Sequence, residues 1–130
     1  MGLRKTVYDR CVGYAGLAAL ISTRCYPDQV PENATYPLIV YHAPVSDDDA
    51  DIRTHDGATG RTTSRVQLDC WAATGDGAEA LAAQAINAWN GYSSGCAVGY
   101  AFIANTIADG WETGQREYRQ IVDVIIEHAR

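Results

Sequence analysis

From Thr62 to Ala73 the chain alternates with period two: Val66, Leu68 and Cys70 fall on one side, and Arg65, Gln67, Asp69 and Trp71 on the other. Residues two apart share a face in a strand but not in a helix. One apolar and one polar face describe an antiparallel strand buried on one side only. The strand leads into Thr74-Gly75-Asp76, a turn that supplies an N-cap, and then into a helix over Ala78 to Ala88. Ala78, Leu81, Ala82, Ala85, Ile86 and Trp89 form its apolar stripe, and Asn90-Gly91 stops it.

The remaining elements are read around this pair. Leu3, Val7, Tyr14, Leu17, Ala18 and Ile21 recur at three- and four-residue spacing and predict a helix over residues 3–21. The next stretch holds prolines at 27, 31 and 37, which exclude regular helix and central strand, so it reads as a fixed surface connector. Leu38 to Val45 predicts a strand, with Pro44 pushing its end to a sheet edge or a bulge. Residues 46–61 are polar, acidic and glycine-bearing, and read as a long hairpin loop. Val98, Tyr100, Phe102 and Ala104 predict a strand that Gly99 weakens, and Val122, Val124 and Ile126 a closing strand over residues 117–127.

The order helix-strand-strand-helix-strand-strand is an α+β fold. The expected architecture is a single domain over residues 1–130, a four-stranded antiparallel sheet with two helices packed on one face. Its expected core contains Val66, Leu68, Leu81, Ile86, Val122, Val124 and Ile126.

Charge narrows the function. The net charge of −6 and a single lysine, Lys5, exclude the basic footprint that duplex nucleic acid needs. The longest apolar runs, such as Leu38–Val40 and Val124–Ile126, fall far short of a bilayer span of about 20 residues. Asp9, Arg10 and Tyr14 interrupt the N-terminal apolar stretch, so a helix is expected there and not a signal peptide.

No catalytic motif stands out. "GATG" at 57–60 does not open a helix, so the phosphate-loop and dinucleotide readings fail. The acidic run "DDDADIRTHDG" lacks the alternation and terminal Glu of a calcium loop and reads as solvated. Cys11, Cys25, Cys70 and Cys96 are widely spaced, and His42, His55 and His128 fall on unrelated segments, so neither zinc nor any other cofactor is expected. The cysteines are expected as reduced thiols, with Cys11 and Cys25 the one pair worth testing for a bridge. Asp69 and Asp123 are read as sheet-surface ion-pair partners of Arg65 or Arg119 rather than an acid-base pair. Trp89 reads as core. Trp71 shares a face with charged residues, and two readings stay open: a subunit-interface aromatic, or a ring half covered by its own neighbours.

Three segments together resemble the tail-completion or tail-terminator (head-to-tail joining) proteins of siphoviruses and gene transfer agents. They are "LAALISTRCYPDQVPENATYPLIVY" at 17–41, "SRVQLDCWAATGDGAEALAAQAINAW" at 64–89, and "REYRQIVDVIIEHA" at 116–129. The resemblance implies a virion protein at the head-proximal end of the tail, assembled in the host cytoplasm. It would cap the tail tube as a hexameric ring, end tube growth and meet the head connector. Its implied partners are further copies of itself, the major tail tube protein and the head-tail connector protein, with no sequence-specific nucleic acid binding and no membrane. No enzyme activity or cofactor is implied. Interface residues expected on this reading are Asp47, Asp48, Asp49, Asp51, Arg53 and Arg61 in the acidic loop, and Trp71. The competing readings are a small ligand-binding or enzymatic domain with a pocket between sheet and helices, and a dimeric adaptor.

Overall fold

The computed structural model describes residues 2–48, 61–94, 98–109 and 118–129. In chain order the elements are α1 (Leu3–Gly13), α2 (Ala15–Ile21), β1 (Cys25–Pro27), β2 (Leu38–Asp48), β3 (Arg61–Ala72), α3 (Gly75–Trp89), β4 (Val98–Asp109) and β5 (Tyr118–Ala129). The strands form one five-stranded sheet in the order β1-β2-β3-β5-β4. Strands β2 to β5 pair antiparallel, and β1 pairs parallel with β2.

The α+β class and the order of the four long strands are as expected, but the sheet is mixed and five-stranded, and three helices replace two. Both differences have local causes. β1 is three residues long, at the edge of the sheet, and closed by Pro27, so it carries too little pattern to be read and sits where proline is tolerated. The predicted helix over 3–21 breaks at Tyr14, which takes an extended backbone (φ −81, ψ 121) between α1 and α2. The break lets the Arg10 guanidinium lie 3.8 Å from the Tyr92 ring centroid and 4.9 Å from that of Tyr14. Its Nε and Nη2 both donate to the Ala88 carbonyl, at 2.9 and 2.7 Å, and satisfy an end carbonyl of α3. Gly16 permits the close approach of α2 to α3, because a Cβ there would run into the Gln84 side chain and come within 2.9 Å of the Tyr14 ring.

The core lies between the helices and one face of the sheet. Val66, Leu68 and Cys70 from β3 and Val122, Val124 and Ile126 from β5 are fully buried there, opposite Leu81, Ala85 and Trp89 of α3 and Val7, Cys11, Leu17 and Ile21 of α1 and α2. Of the seven expected core residues only Ile86 is partly exposed, packed at the cluster's margin. The α3 N-cap is Thr74, whose hydroxyl accepts from Gly77 N at 3.0 Å, as the sequence predicts.

Two strands depart from simple alternation. β2 does not end at Val45. A register shift between His42 and Ser46 absorbs Pro44, and the ladder resumes with Ser46, Asp47 and Asp48 opposite Arg65, Ser64 and Thr63. Residues 46–48 and 61, expected in the loop, are therefore strand. In β4, register shifts between Val98 and Tyr100 and between Ile103 and Asn105 each insert an extra residue. The first, at Gly99, reverses the expected facing. Val98, Ala101 and Ile103 turn toward the core, and Tyr100 and Phe102 turn to the opposite face.

Burial raises the Cys70 thiol well above its ordinary range. Cys25 is raised as well, by its contact with the Cys11 thiol and then by burial. Cys11, Cys25 and Cys70 are all buried free thiols, and no bridge joins Cys11 to Cys25.

Candidate functional site

The sheet face turned away from the helices carries the second half of every alternation. In β3 it presents Arg65, Gln67, Asp69 and Trp71, and in β5 Arg119, Ile121, Asp123 and Ile125. Each pair stands opposite its neighbour across the ladder: Trp71 with Arg119, Asp69 with Ile121, Gln67 with Asp123 and Arg65 with Ile125. The register alone thus brings the cations near the carboxylates. Arg65 Nη1 lies 3.5 Å from Asp123 Oδ2, and Arg119 Nη1 lies 3.6 Å from Asp69 Oδ2. These are the ion pairs that the sequence predicts.

Asp69 is the centre of this face. Its side chain is only 6% exposed, and a buried carboxylate persists only if paired and hydrogen-bonded. Gln67 Nε2 donates to Asp69 Oδ1 at 2.8 Å, and His42 Nε2 lies 3.1 Å from Asp69 Oδ2. His42 Nδ1 in turn stands 3.9 Å from Asp28, whose other carboxylate oxygen accepts from Arg4 at 2.8 Å. Arg4 also donates to the Ala43 carbonyl, at 3.1 Å, which ties α1 to β2. The connector beyond β1 is held against this face by the Asp28 N–H, which donates to the Tyr41 carbonyl at 3.0 Å.

Connector and sheet enclose a cleft of ≈ 370 Å³. Its walls are Asp28, Gln29 and Val30 of the connector, and its floor is formed by Val40, His42, Gln67, Asp69, Trp71 and Arg119. The Arg119 guanidinium lies 5.2 Å from the Trp71 ring centroid. Trp71 is partly covered by these neighbours, but its Nε1–H is buried and meets no acceptor among the described residues. A buried donor left in that state costs about 1–3 kcal/mol.

Among the described residues the lining carries no Ser, Thr, Cys or Lys that could act as a nucleophile beside the His42–Asp69 pair. A hydroxyl-imidazole contact, Ser64 Oγ to His128 Nε2 at 2.7 Å, lies on the helix-covered side, where Ser64 is fully buried. No group of three or more His, Cys, Asp or Glu that could hold a metal occurs among the described residues. Among them no helix is long and apolar enough to cross a membrane.

At the other end of the same face, β4 and β5 make an apolar patch. Tyr100, Phe102 and Ile107 are 45%, 43% and 44% exposed, opposite Glu127, Ile125 and Ile121. The Tyr100 and Phe102 rings stack, with centroids 5.9 Å apart and planes 15° apart. The backbone edge of β4 beside them is already occupied. Gly91 N donates to the Ala101 carbonyl at 2.9 Å, and Ile103 N donates to Asn90 Oδ1 at 3.3 Å. What β4 offers to a partner there is side chains, not an open ladder.

Of the interface residues expected from sequence, Trp71 alone is described with its side chain, and it lines the cleft. Asp47 and Asp48 lie on β2 and Arg61 opens β3, while Asp49, Asp51 and Arg53 lie outside the described residues. His42, Asp28 and the Tyr100–Phe102 pair were not anticipated. The proline-rich connector concealed Asp28, His42 sits on β2 with partners distant in sequence, and Gly99 as a bulge residue was the available signal for the third.

Comparison with known proteins places this geometry. Residues 5–91, two thirds of the chain, match the family model described as tail completion protein gp17. No curated protein matches the chain by sequence. The fold is similar to that of a chain from the virion of a native gene transfer agent particle, at 20% identity and a TM-score of 0.74, covering 98% of this chain and 95% of that one. On the strength of the family match, this chain belongs to the gp17 family of tail completion proteins, structural components of the phage virion.

Proposed function

We propose that the protein ends tail assembly by forming a ring, a hexamer, on the head-proximal end of the tail tube, where it stops elongation and offers a surface to the head connector. The observation that carries this reading is the family match over residues 5–91, which spans α1 to the end of α3. An exposed stacked aromatic pair on a sheet face without helices supports it, because large apolar patches on a small domain mark protein contacts. A ring needs heterologous interfaces that close, so two different surfaces of each subunit must meet. The acidic segment with Asp47, Asp48, Asp49, Asp51, Arg53 and Arg61 reaches the neighbouring subunit or the tail tube, and Trp71 belongs to the subunit interface. The partners are further copies of the chain, the major tail tube protein and the head-tail connector, and assembly takes place in the host cytoplasm. The acidic subunit lets DNA pass through the bore without adhering.

A pocket between sheet and helices has little support, since that space is filled by Trp89, Leu17, Leu68, Leu81 and their neighbours. The protein is proposed to carry no catalytic role. The test is native mass of the purified protein, alone and with tail tubes, together with complementation of a deletion phage. Rings of six and recovery of tailed, infectious particles are expected. A protein that stays monomeric on tubes, or tails of normal length in its absence, would remove the reading.

A further inference from the structure

His42 stands between the sheet and the connector, with a carboxylate at each ring nitrogen. Its Nε2 lies 3.1 Å from Asp69 Oδ2 on β3, and its Nδ1 lies 3.9 Å from Asp28 Oδ1 on the connector. A carboxylate only accepts, so a neutral His42 uses its one N–H on Asp69 and turns a lone pair to Asp28. The connector wall of the cleft is then anchored at Asp28 by the Tyr41 carbonyl and by Arg4, which holds the other carboxylate oxygen. We propose that His42 is a proton-operated latch: once protonated at Nδ1, the imidazole donates to Asp28 Oδ1 as well and fastens the connector wall to the sheet. The latch goes beyond the assembly reading above and does not depend on it.

Three features favour a latch over a fixed structural histidine. The His42 side chain is 32% exposed, so a proton from water reaches it. Asp69 is 6% exposed and is also held by Gln67 and Arg119, so the sheet side of the bridge is fixed. Asp28 is 62% exposed and lies just beyond the end of β1, so it is the side that closes the remaining distance, about 1 Å, to a charge-assisted hydrogen bond. Asp28 also takes a left-handed backbone (φ 68), which an aspartate adopts at some cost, so its position depends on the contacts that hold it. The charged groups around the imidazole are Asp28 from the connector and Asp69 from β3, one at each nitrogen. Arg4 from α1 and Arg119 from β5 approach the same two carboxylates, at 2.8 and 3.6 Å. Because the protonated imidazole bonds Asp28 only when the wall is closed, proton and closed wall favour one another.

The test is amide hydrogen exchange of the full chain at about pH 5.5 and about pH 7.5, a window in which histidine changes charge and which lies above the ordinary carboxylate range. Rates are expressed as protection factors, so the intrinsic pH effect cancels. The Asp28 amide, bonded to the Tyr41 carbonyl, reports on the wall. Its protection is expected to rise by roughly two- to fivefold at the lower pH, the size of a part-exposed ion pair. His42→Gln keeps a donor for Asp69 and places none at Asp28, and Asp28→Asn removes the carboxylate but keeps the backbone bond; in each the rise should vanish. Asp28 is exposed, so its variant leaves the core intact and decides the matter even where His42→Gln fails to fold. Long-range nitrogen-15 spectra of the His42 imidazole should show the Nε2–H tautomer at the higher pH and both nitrogens protonated at the lower. A flat wild type, a rise of the same size in either variant, or an imidazole that stays neutral at the lower pH would overturn the latch.

Discussion

The two faces of one sheet are built on opposite principles. Under the helices, β3 and β5 present Val66, Leu68, Cys70, Val122, Val124 and Ile126 to a core with almost no exposed surface. On the reverse, the same strands present charge, with Asp69 held by three neighbours and an ion pair beside it. Burial of apolar area stabilises the first face, at about 25 cal/mol per Å². The second face gains little from exposed ion pairs, since such pairs are worth about 0–1 kcal/mol. Its order comes from one buried carboxylate, the geometry around it, and Leu38 and Val40, which are buried beside it on β2. Stability is thus expected to reside under the helices and recognition on the reverse.

The sharpest way to break this contrast is Trp89→Ala. Trp89 is fully buried and meets Tyr92 edge-on at 5.7 Å, so truncation opens a cavity and should cost about 3–5 kcal/mol. Chemical denaturation reads it directly. A loss below about 1 kcal/mol would mean that the core is not where stability resides.

Asp69→Ala is expected next, at about 1–3 kcal/mol, because it leaves His42, Gln67 and Arg119 without their shared acceptor while removing little apolar surface. If it matched Trp89→Ala, the reverse face would be a second core. Asp123→Ala, whose partner Arg65 is exposed, should cost less than Asp69→Ala in the same melts.

A pH series sharpens the contrast from the covered side. Burial holds the Cys70 thiol neutral above its usual range, and burial followed by the nearby Cys25 does the same for the Tyr41 phenol. In the unfolded chain these groups ionise near about 8.5 and 10. Above those values the unfolded state releases protons that the native state keeps, so stability must fall as pH rises. The slope is at most about 1.4 kcal/mol per unit for each group. Denaturant melts from pH 7 to 10.5 should show the fall, and Cys70→Ala should make it shallower. A Cys70→Ala curve as steep as that of the wild type would contradict the burial of the Cys70 thiol.

The smallest effect is expected at Tyr100→Ser. Its side chain is 45% exposed, so the isolated domain should change by no more than about 0.5 kcal/mol. Assembly should nevertheless suffer. Equal loss in both measurements would make the ring a packing residue and not a contact.

Much of this was legible in the sequence because strands and helices announce themselves by period. The β3 alternation, the Thr74 cap and the α3 stripe are local signals that tertiary contacts only reinforce. The ion pairs of Asp69 and Asp123 were legible as well, since facing is set by the alternation. The misses share one cause: each depends on a partner distant in sequence. β1 exists only because Ile39–Tyr41 lie alongside it, and the break at Tyr14 is tied to Tyr92 and Ala88 through Arg10. The cleft forms because the connector folds back over β2, and no spacing rule encodes that return.

The bulge at Gly99 has a consequence for how such a surface can change over generations. A substitution usually alters one side chain, but one at Gly99 that straightened the ladder without changing its length would shift the facing of every residue from Tyr100 to Ile103. Tyr100 and Phe102 would swing inward, and Ala101 and Ile103 outward, with most of the composition untouched. One change at the bulge could thus erase or create an aromatic contact in a single step. Lineages of such proteins could then exchange partners abruptly, without passing through a series of weakened intermediates.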